Sequence, residues 1–290
     1  MKIFRNLVLV FFVGILILIS GCTGGDDRQS GFPGIGGGSS SSSSGGVSLE
    51  FAENNPPSQM FKGQPVNFAF VFKNHQRHEV SDLRVRLRGF DTSYTTSLQS
   101  EYSVQSLPRA TTEAGPGIFA GLVVQGVTVD GFTGNYNFDP IFDWCYTATT
   151  TYREQICVPS EMNQCNTRVD RSMSQNGPIS VKIDYINNVG NKVRIDFVLS
   201  NTGGGRVVNE CFNIDDYAID FSNLRVSLGT VQGSCDSASG FKIIGNRANF
   251  YCEFDRQGSD SYASQVTVEF DYKYQQTTQR KILVRDLNER

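Results

Sequence analysis

Seven cysteines are the side chains in this 290-residue chain best equipped for covalent chemistry: Cys22, Cys145, Cys157, Cys165, Cys211, Cys235 and Cys252. Thiols can pair, ligate a metal or carry a modification. Zinc sites draw on Cys-x-x-Cys pairs or on histidines at fixed offsets. No Cys-x-x-Cys occurs, and the two histidines, His75 and His78, sit together in NHQRHE, far from every cysteine. Setting Cys22 aside leaves an even set of six, as an oxidising compartment favours. The expected bridges are Cys145 with Cys157, Cys235 with Cys252, and Cys165 with Cys211, chosen from about 15 arrangements. Cys145, Cys157 and Cys165 precede the second half of the chain, and the other three lie within it. If all six are oxidised, at least one bridge must therefore join the halves.

Other candidate chemistry is thinner. His75, His78 and Glu79 offer nitrogen and oxygen ligands, but in a strand-to-strand loop rather than at helical spacing. Asp215, Asp216 and Asp220 in NIDDYAID, and Asp139 and Asp143 in DPIFDW, could feed a calcium site, yet neither spacing fits an EF-hand loop. Paired carboxylates for glycoside hydrolysis could be drawn from any of the 29 acids. Two histidines in one loop and no Gly-x-Ser-x-Gly elbow leave nucleophilic triads without support. Trp144, the single tryptophan, lies beside Cys145. It could be a sugar-stacking platform, but the matching aromatic Tyr272 reads as packing. GIGGG has neither the strand before it nor the helix after it that a phosphate loop needs. The expectation is no catalytic residue, no metal and no cofactor.

Cys22 has a different setting. Lys2 and Arg5 precede an apolar or small run from Leu7 to Ile19, then Ser20 and Gly21, which reads as an export signal. Ile19-Ser20-Gly21-Cys22 resembles the lipobox of prokaryotic lipoproteins, which implies cleavage before Cys22 and lipidation of its sulfur. An uncleaved membrane helix and plain secretion are the alternatives, and all three place the rest of the chain outside the cytoplasm. Loss of Lys2 and Arg5 takes 26 basic residues to 24 against 29 acidic, so the formal charge moves from −3 to −5. Scattered cations and a net negative charge exclude a nucleic-acid partner. There is no Asn-x-Ser/Thr sequon.

The elements that must position these residues follow from patterning. Residues 1–21 read as signal peptide and 22–46 as a lipid-anchored Gly/Ser tether, whose 23-residue stretch GGDDRQSGFPGIGGGSSSSSSGG behaves as flexible coil. From Val47 onward runs such as VNFAFVF, LRVRLRG, ISVKIDY, VRIDFVL and VTVEFDY alternate apolar and polar residues, a strand signature. In LRVRLRG, Leu83, Val85 and Leu87 face one way and Arg84, Arg86 and Arg88 the other. VNFAFVFKN (66–74) and VRIDFVLSN (193–201) repeat at an offset of 127 (193 − 66), and FDWCY (142–146) and FDYKY (270–274) at 128 (270 − 142). Two copies at 47–160 and 178–290, joined by a linker at 161–177, are each the size of a small β-sandwich.

GQPVNFAFVFKNHQRHEVSDLRVRL and NKVRIDFVLSNTGGGRVVN resemble the immunoglobulin-like modules of CARDB-type and archaeal S-layer-associated surface proteins. The first copy has NHQRHE in place of the Gly-containing turn of the second. The resemblance implies an all-β chain of two tandem immunoglobulin-like sandwiches. The expected role is that of a non-catalytic, membrane-anchored structural, adhesion or scaffold protein of the cell envelope, partnered by an envelope protein or glycan. A glycan- or solute-binding module is the alternative, and a secreted hydrolase the third reading.

Overall fold

The computed structural model describes residues 45–96, 99–104, 106–111, 115–160, 165, 173–213, 222–236 and 246–287. All regular structure among them is β-strand. The first half supplies β1 (Val47–Phe51), β2 (Gln59–Phe61), β3 (Val66–Asn74), β4 (Leu83–Arg88), β5 (Thr95–Thr96), β6 (Glu101–Val104), β7 (Gly117–Val129), β8 (Tyr136–Phe138) and β9 (Ile141–Val158). The second supplies β10 (Met173–Asn176), β11 (Ile179–Val189), β12 (Lys192–Asn201), β13 (Arg206–Val208), β14 (Ser222–Leu228), β15 (Val231–Gln232), β16 (Ser234–Cys235), β17 (Arg247–Asp255), β18 (Tyr262–Gln279) and β19 (Ile282–Arg285).

Alternation dictates the layers. In β3, Phe68, Phe70 and Phe72 are buried while Ala69, Val71 and Lys73 between them are only half-buried. In β12, Val193, Ile195, Phe197 and Leu199 fill the matching inward positions. β4 buries Leu83, Val85 and Leu87 and turns its three arginines outward, as its sequence requires. Each half therefore places a four-stranded sheet, β1-β3-β7-β5 or β11-β12-β17-β16, against a larger sheet. The first core is aromatic: Phe142 from the large sheet meets Phe70 and Phe51 with ring centroids at 5.1 and 5.2 Å. In the second half Phe197 and Phe250 stack across two strands at 4.8 Å.

The larger sheet is continuous through both halves, in the order β15-β14-β18-β9-β4-β6. Its centre is the antiparallel pair β9 and β18, in register from Ile141–Gln279 to Val158–Tyr262. The repeat offset of 128 (270 − 142) maps this ladder onto itself. It carries the pair Phe142–Thr278 onto Phe270–Thr150, and returns Tyr146–Tyr274 to itself. The two copies thus meet about a local twofold axis that passes between Tyr146 and Tyr274, whose rings lie 6.0 Å apart.

The symmetry breaks in three places. Pro140, which has no N–H to donate, interrupts the ladder. The pairing resumes in the same register as β8 with β19, from Ile282–Phe138 to Val284–Tyr136, and β19 lies between β8 and β2. The short edge strands follow the chain in opposite order: β5 of the small sheet precedes β6 of the large one, whereas β15 of the large sheet precedes β16 of the small one. Finally, β4 is one strand, but its counterpart is split into β13 and β14, both paired to β18, with residues 209–221 intervening.

Candidate functional site

The outward face of β9 and β18 collects the polar residues that join the halves. Asp143 is fully buried although it points away from the core. Arg88 donates from Nε at 2.6 Å and from Nη2 at 3.2 Å, Arg86 Nη2 donates at 3.2 Å, and Thr277 Oγ1 donates at 2.6 Å. Burial alone would raise the carboxyl's pKa, but the hydrogen bonds from Arg88, Thr277 and Arg86 outweigh it and hold the group below the ordinary range. A carboxylate has about four lone-pair sites. All four are met by protein donors, so the carboxylate is committed to Arg86, Arg88 and Thr277.

The local twofold repeats the motif in weaker form. Asp271 accepts from Thr149 Oγ1 at 2.7 Å, as Asp143 does from Thr277, and Asn223 takes the place of Arg86 with a donation at 2.9 Å. Nearby, Thr147 donates to Asp82 from its backbone N at 2.9 Å and its hydroxyl at 2.6 Å. Lys273 closes this cluster by donating to Asp82 and, at 2.7 Å, to Thr147 Oγ1. Burial opposes ionisation of Asp82, but the bonds from Lys273 and Thr147 prevail and lower its pKa.

Under this face, ring hydroxyls pin the first strand of each copy. Val47 N donates to Tyr146 Oη at 2.9 Å and Trp144 Nε1 donates to Val47 O at 3.1 Å. Ile179 N donates to Tyr272 Oη at 3.1 Å. Trp144 and Tyr272 are both buried, so Trp144 packs and offers no exposed platform. Tyr274 donates to Asn201 and accepts from Gly205 N at 2.8 Å, and burial pushes its pKa up to about 12.

The two Asn-containing turns prove equivalent despite their sequences. Asn74 accepts from Gln76 N and donates to His78 O at 2.7 Å; Asn201 accepts from Gly203 N and donates to Gly205 O at 2.7 Å. The Asn, buried in the first copy and half-buried in the second, supplies the turn's bonds in both. Glycine is needed only in the second, where a Cβ on Gly203 would meet Tyr274 Oη at 2.5 Å. His75 Nε2 lies 3.0 Å from Ser48 Oγ, and burial followed by the neighbouring Lys73 lowers its pKa, with Glu50 opposing. His78 and Glu79 are exposed. No group of three or more metal-binding side chains occurs among the described residues. Asp139 is half-buried and stays outside the Asp143 cluster, while Cys22, Asp215, Asp216 and Asp220 lie outside the described residues.

All six remaining cysteines are paired, but two expected pairings are corrected. The bridges are Cys145–Cys211, Cys157–Cys165 and Cys235–Cys252. Cys145 and Cys157 belong to one unbroken 18-residue strand. Twelve residues at ~3.3 Å each put them about 40 Å apart, whereas a disulfide needs Cα atoms within about 7 Å. Cys165 is spent on Cys157, so it does not reach Cys211. Cys235 and Cys252 are directly opposed in register, as expected. Cys145–Cys211 is the bridge that joins the halves, closing a separation of 66 residues.

Sequence reasoning missed the Asp143 and Asp82 clusters. The signal was present in the outward Arg84-Arg86-Arg88 stripe and in the aspartate shared by FDWCY and FDYKY. Comparison of the chain with known protein families and with curated proteins finds no match.

Proposed function

We propose that this chain is a non-catalytic scaffold or adhesion protein of a prokaryotic cell envelope, built from two immunoglobulin-like modules and held outside the membrane by a lipid on Cys22. The observation that carries the reading is the stapled junction. Cys145–Cys211, the Asp143 cluster and the Asp82–Lys273 pair fasten the two halves along one ladder of 18 residue pairs. Each carboxylate there is committed to structural donors, an arrangement that favours stiffness over turnover. Three disulfides suit an oxidising compartment. The order of β11, β12, β14, β15, β16, β17 and β18 follows immunoglobulin strands A, B, C, C′, D, E and F, with β9 of the other half in the place of G. The partner on this reading is an envelope protein or glycan.

Two measurements test the proposal. Intact mass of the native protein should begin at Cys22 with added lipid, and Cys22→Ser should move the protein to the soluble fraction or leave the signal uncut. The purified ectodomain should capture an envelope protein on cross-linking in cells. A saturable hit on a glycan array without such capture would favour the glycan-binding alternative, and turnover abolished by a single carboxylate substitution would overturn the non-catalytic reading.

A further inference from the structure

The split between β13 and β14 breaks the twofold on the outward face of the central sheet. The chain leaving β13 crosses that face as a strap at Cys211 and Phe212, held at four points. Cys211 is bonded to Cys145, Phe212 N donates to Gln275 Oε1 at 3.0 Å, Arg86 Nη1 donates to Phe212 O at 3.3 Å, and the Arg86 guanidinium lies over the Phe212 ring at 4.6 Å. One residue thus has its N–H accepted by a glutamine, its C=O met by an arginine and its ring stacked on a cation. Those are the contacts by which a surface recognises an extended peptide bearing an aromatic side chain.

Two further observations show that the strap is an imperfect occupant. Gln275 is 1% exposed, yet its Nε2 has no partner, and Arg86 Nε is also buried and unpaired. Both donors belong to the two side chains that hold Phe212, and neither is satisfied by it. Phe212 also has φ of 69°, a left-handed conformation that is costly for a bulky side chain.

We propose that the face formed by Arg86, Cys145 and Gln275 is a recognition site for an extended peptide carrying an aromatic residue, filled here by the chain's own Cys211–Phe212 and gated by the Cys145–Cys211 bridge. With the bridge closed the strap holds the site. Opening requires a dithiol reductant, which is oxidised to its own disulfide while two electrons and two protons pass to the Cys145 and Cys211 sulfurs. Cys211, the half-buried member, is the sulfur open to attack, since Cys145 is fully buried. The strap then competes through noncovalent contacts alone, and a peptide with an aromatic side chain and additional acceptors displaces it.

The test uses the whole ectodomain with Cys145→Ser, Cys211→Ser and Phe212→Ala combined, which leaves the other two bridges intact. The probe is a fluorescent peptide of residues 209–213 carrying Cys211→Ser. Saturable binding at least tenfold tighter than to the wild type is expected, with at least a tenfold loss when Arg86→Lys is added or when the probe's phenylalanine becomes alanine. Absence of saturable binding by a variant that retains amide protection in β9 and β18 would overturn the proposal. Should that variant not fold, Phe212→Ala with the bridge intact vacates only the ring position. N-acetyl-phenylalaninamide should then shift the Arg86 Nε–H resonance, and no shift up to solubility would equally overturn it. Either failure leaves the scaffold reading standing, because that reading is tested by lipid mass and envelope capture.

Discussion

Replacing Asp143 by asparagine removes the charge on which two guanidinium groups converge, at nearly constant volume. The new amide nitrogen must face donors. If it takes the Oδ1 position it meets Arg88 Nη2, because the Thr277 hydroxyl can rotate to accept; if it takes Oδ2 it meets both Arg86 Nη2 and Arg88 Nε. One or two charge-assisted hydrogen bonds, each worth about 1.5 to 3 kcal/mol net, are lost. Arg86 and Arg88 retain 25% and 46% of their side-chain exposure, so water recovers part of their solvation. The expected cost is therefore about 2 to 4 kcal/mol, below the full penalty for stranding a buried charge. Because the folded carboxyl has a lowered pKa, its stabilisation is fully present above the ordinary carboxylate range near pH ~4 and is lost as pH falls through the folded value. Chemical denaturation of Asp143→Asn and wild type, followed by two spectroscopic probes with disulfides intact, should show the gap at pH 7 and its closure in acid. A gap under about 1 kcal/mol at pH 7, or one independent of pH, would refute the central role given to this carboxylate.

Three further outcomes are expected. Phe70→Ala, which opens the contact with Phe142, should cost about 3 to 5 kcal/mol by the same denaturation assay. Tyr146→Phe leaves Val47 N without its acceptor and should cost about 1 to 3 kcal/mol, whereas Tyr185→Phe, at an exposed position of β11, should stay within about 0.5 kcal/mol. Asn74→Ala and Asn201→Ala should each speed amide exchange at Gln76 or Gly203 and leave the opposite copy's turn protected; loss of protection in both turns from one substitution would contradict their independence.

Period-two patterning made the strands and their inward faces readable, because Phe68, Phe70 and Phe72 or Val193, Ile195 and Phe197 carry that information locally. The repeat also placed the paired asparagines, and its unchanged bond pattern across NHQRHE and NTGGG shows that the Asn, not the glycines, specifies the turn. What stayed hidden was non-local. Nothing in FDWCY says that its partner strand is the second copy of the same motif running the other way, so the twofold and the Asp143–Thr277 contact could not be read. The pairing of Cys145 with Cys157 failed for a related reason: the two are close in sequence, but the chain runs straight through both residues. The 209–213 strap has no pattern of its own and becomes visible only once Arg86 and Gln275 are brought together.

The junction between the halves is the centre of the account, and Cys145–Cys211 reports on it directly. Cys145 adjoins Tyr146 on β9 and Cys211 follows β13, which pairs with β18, so their Cα atoms come to 5.6 Å when the ladder forms in register. In the chain-entropy model the bridge adds about 4 kcal/mol. Peptide mapping of the native protein under non-reducing conditions should recover Cys145 linked to Cys211, alongside Cys157–Cys165 and Cys235–Cys252. Recovery of Cys145 and Cys211 as free thiols, or linked to any other cysteine, would contradict it.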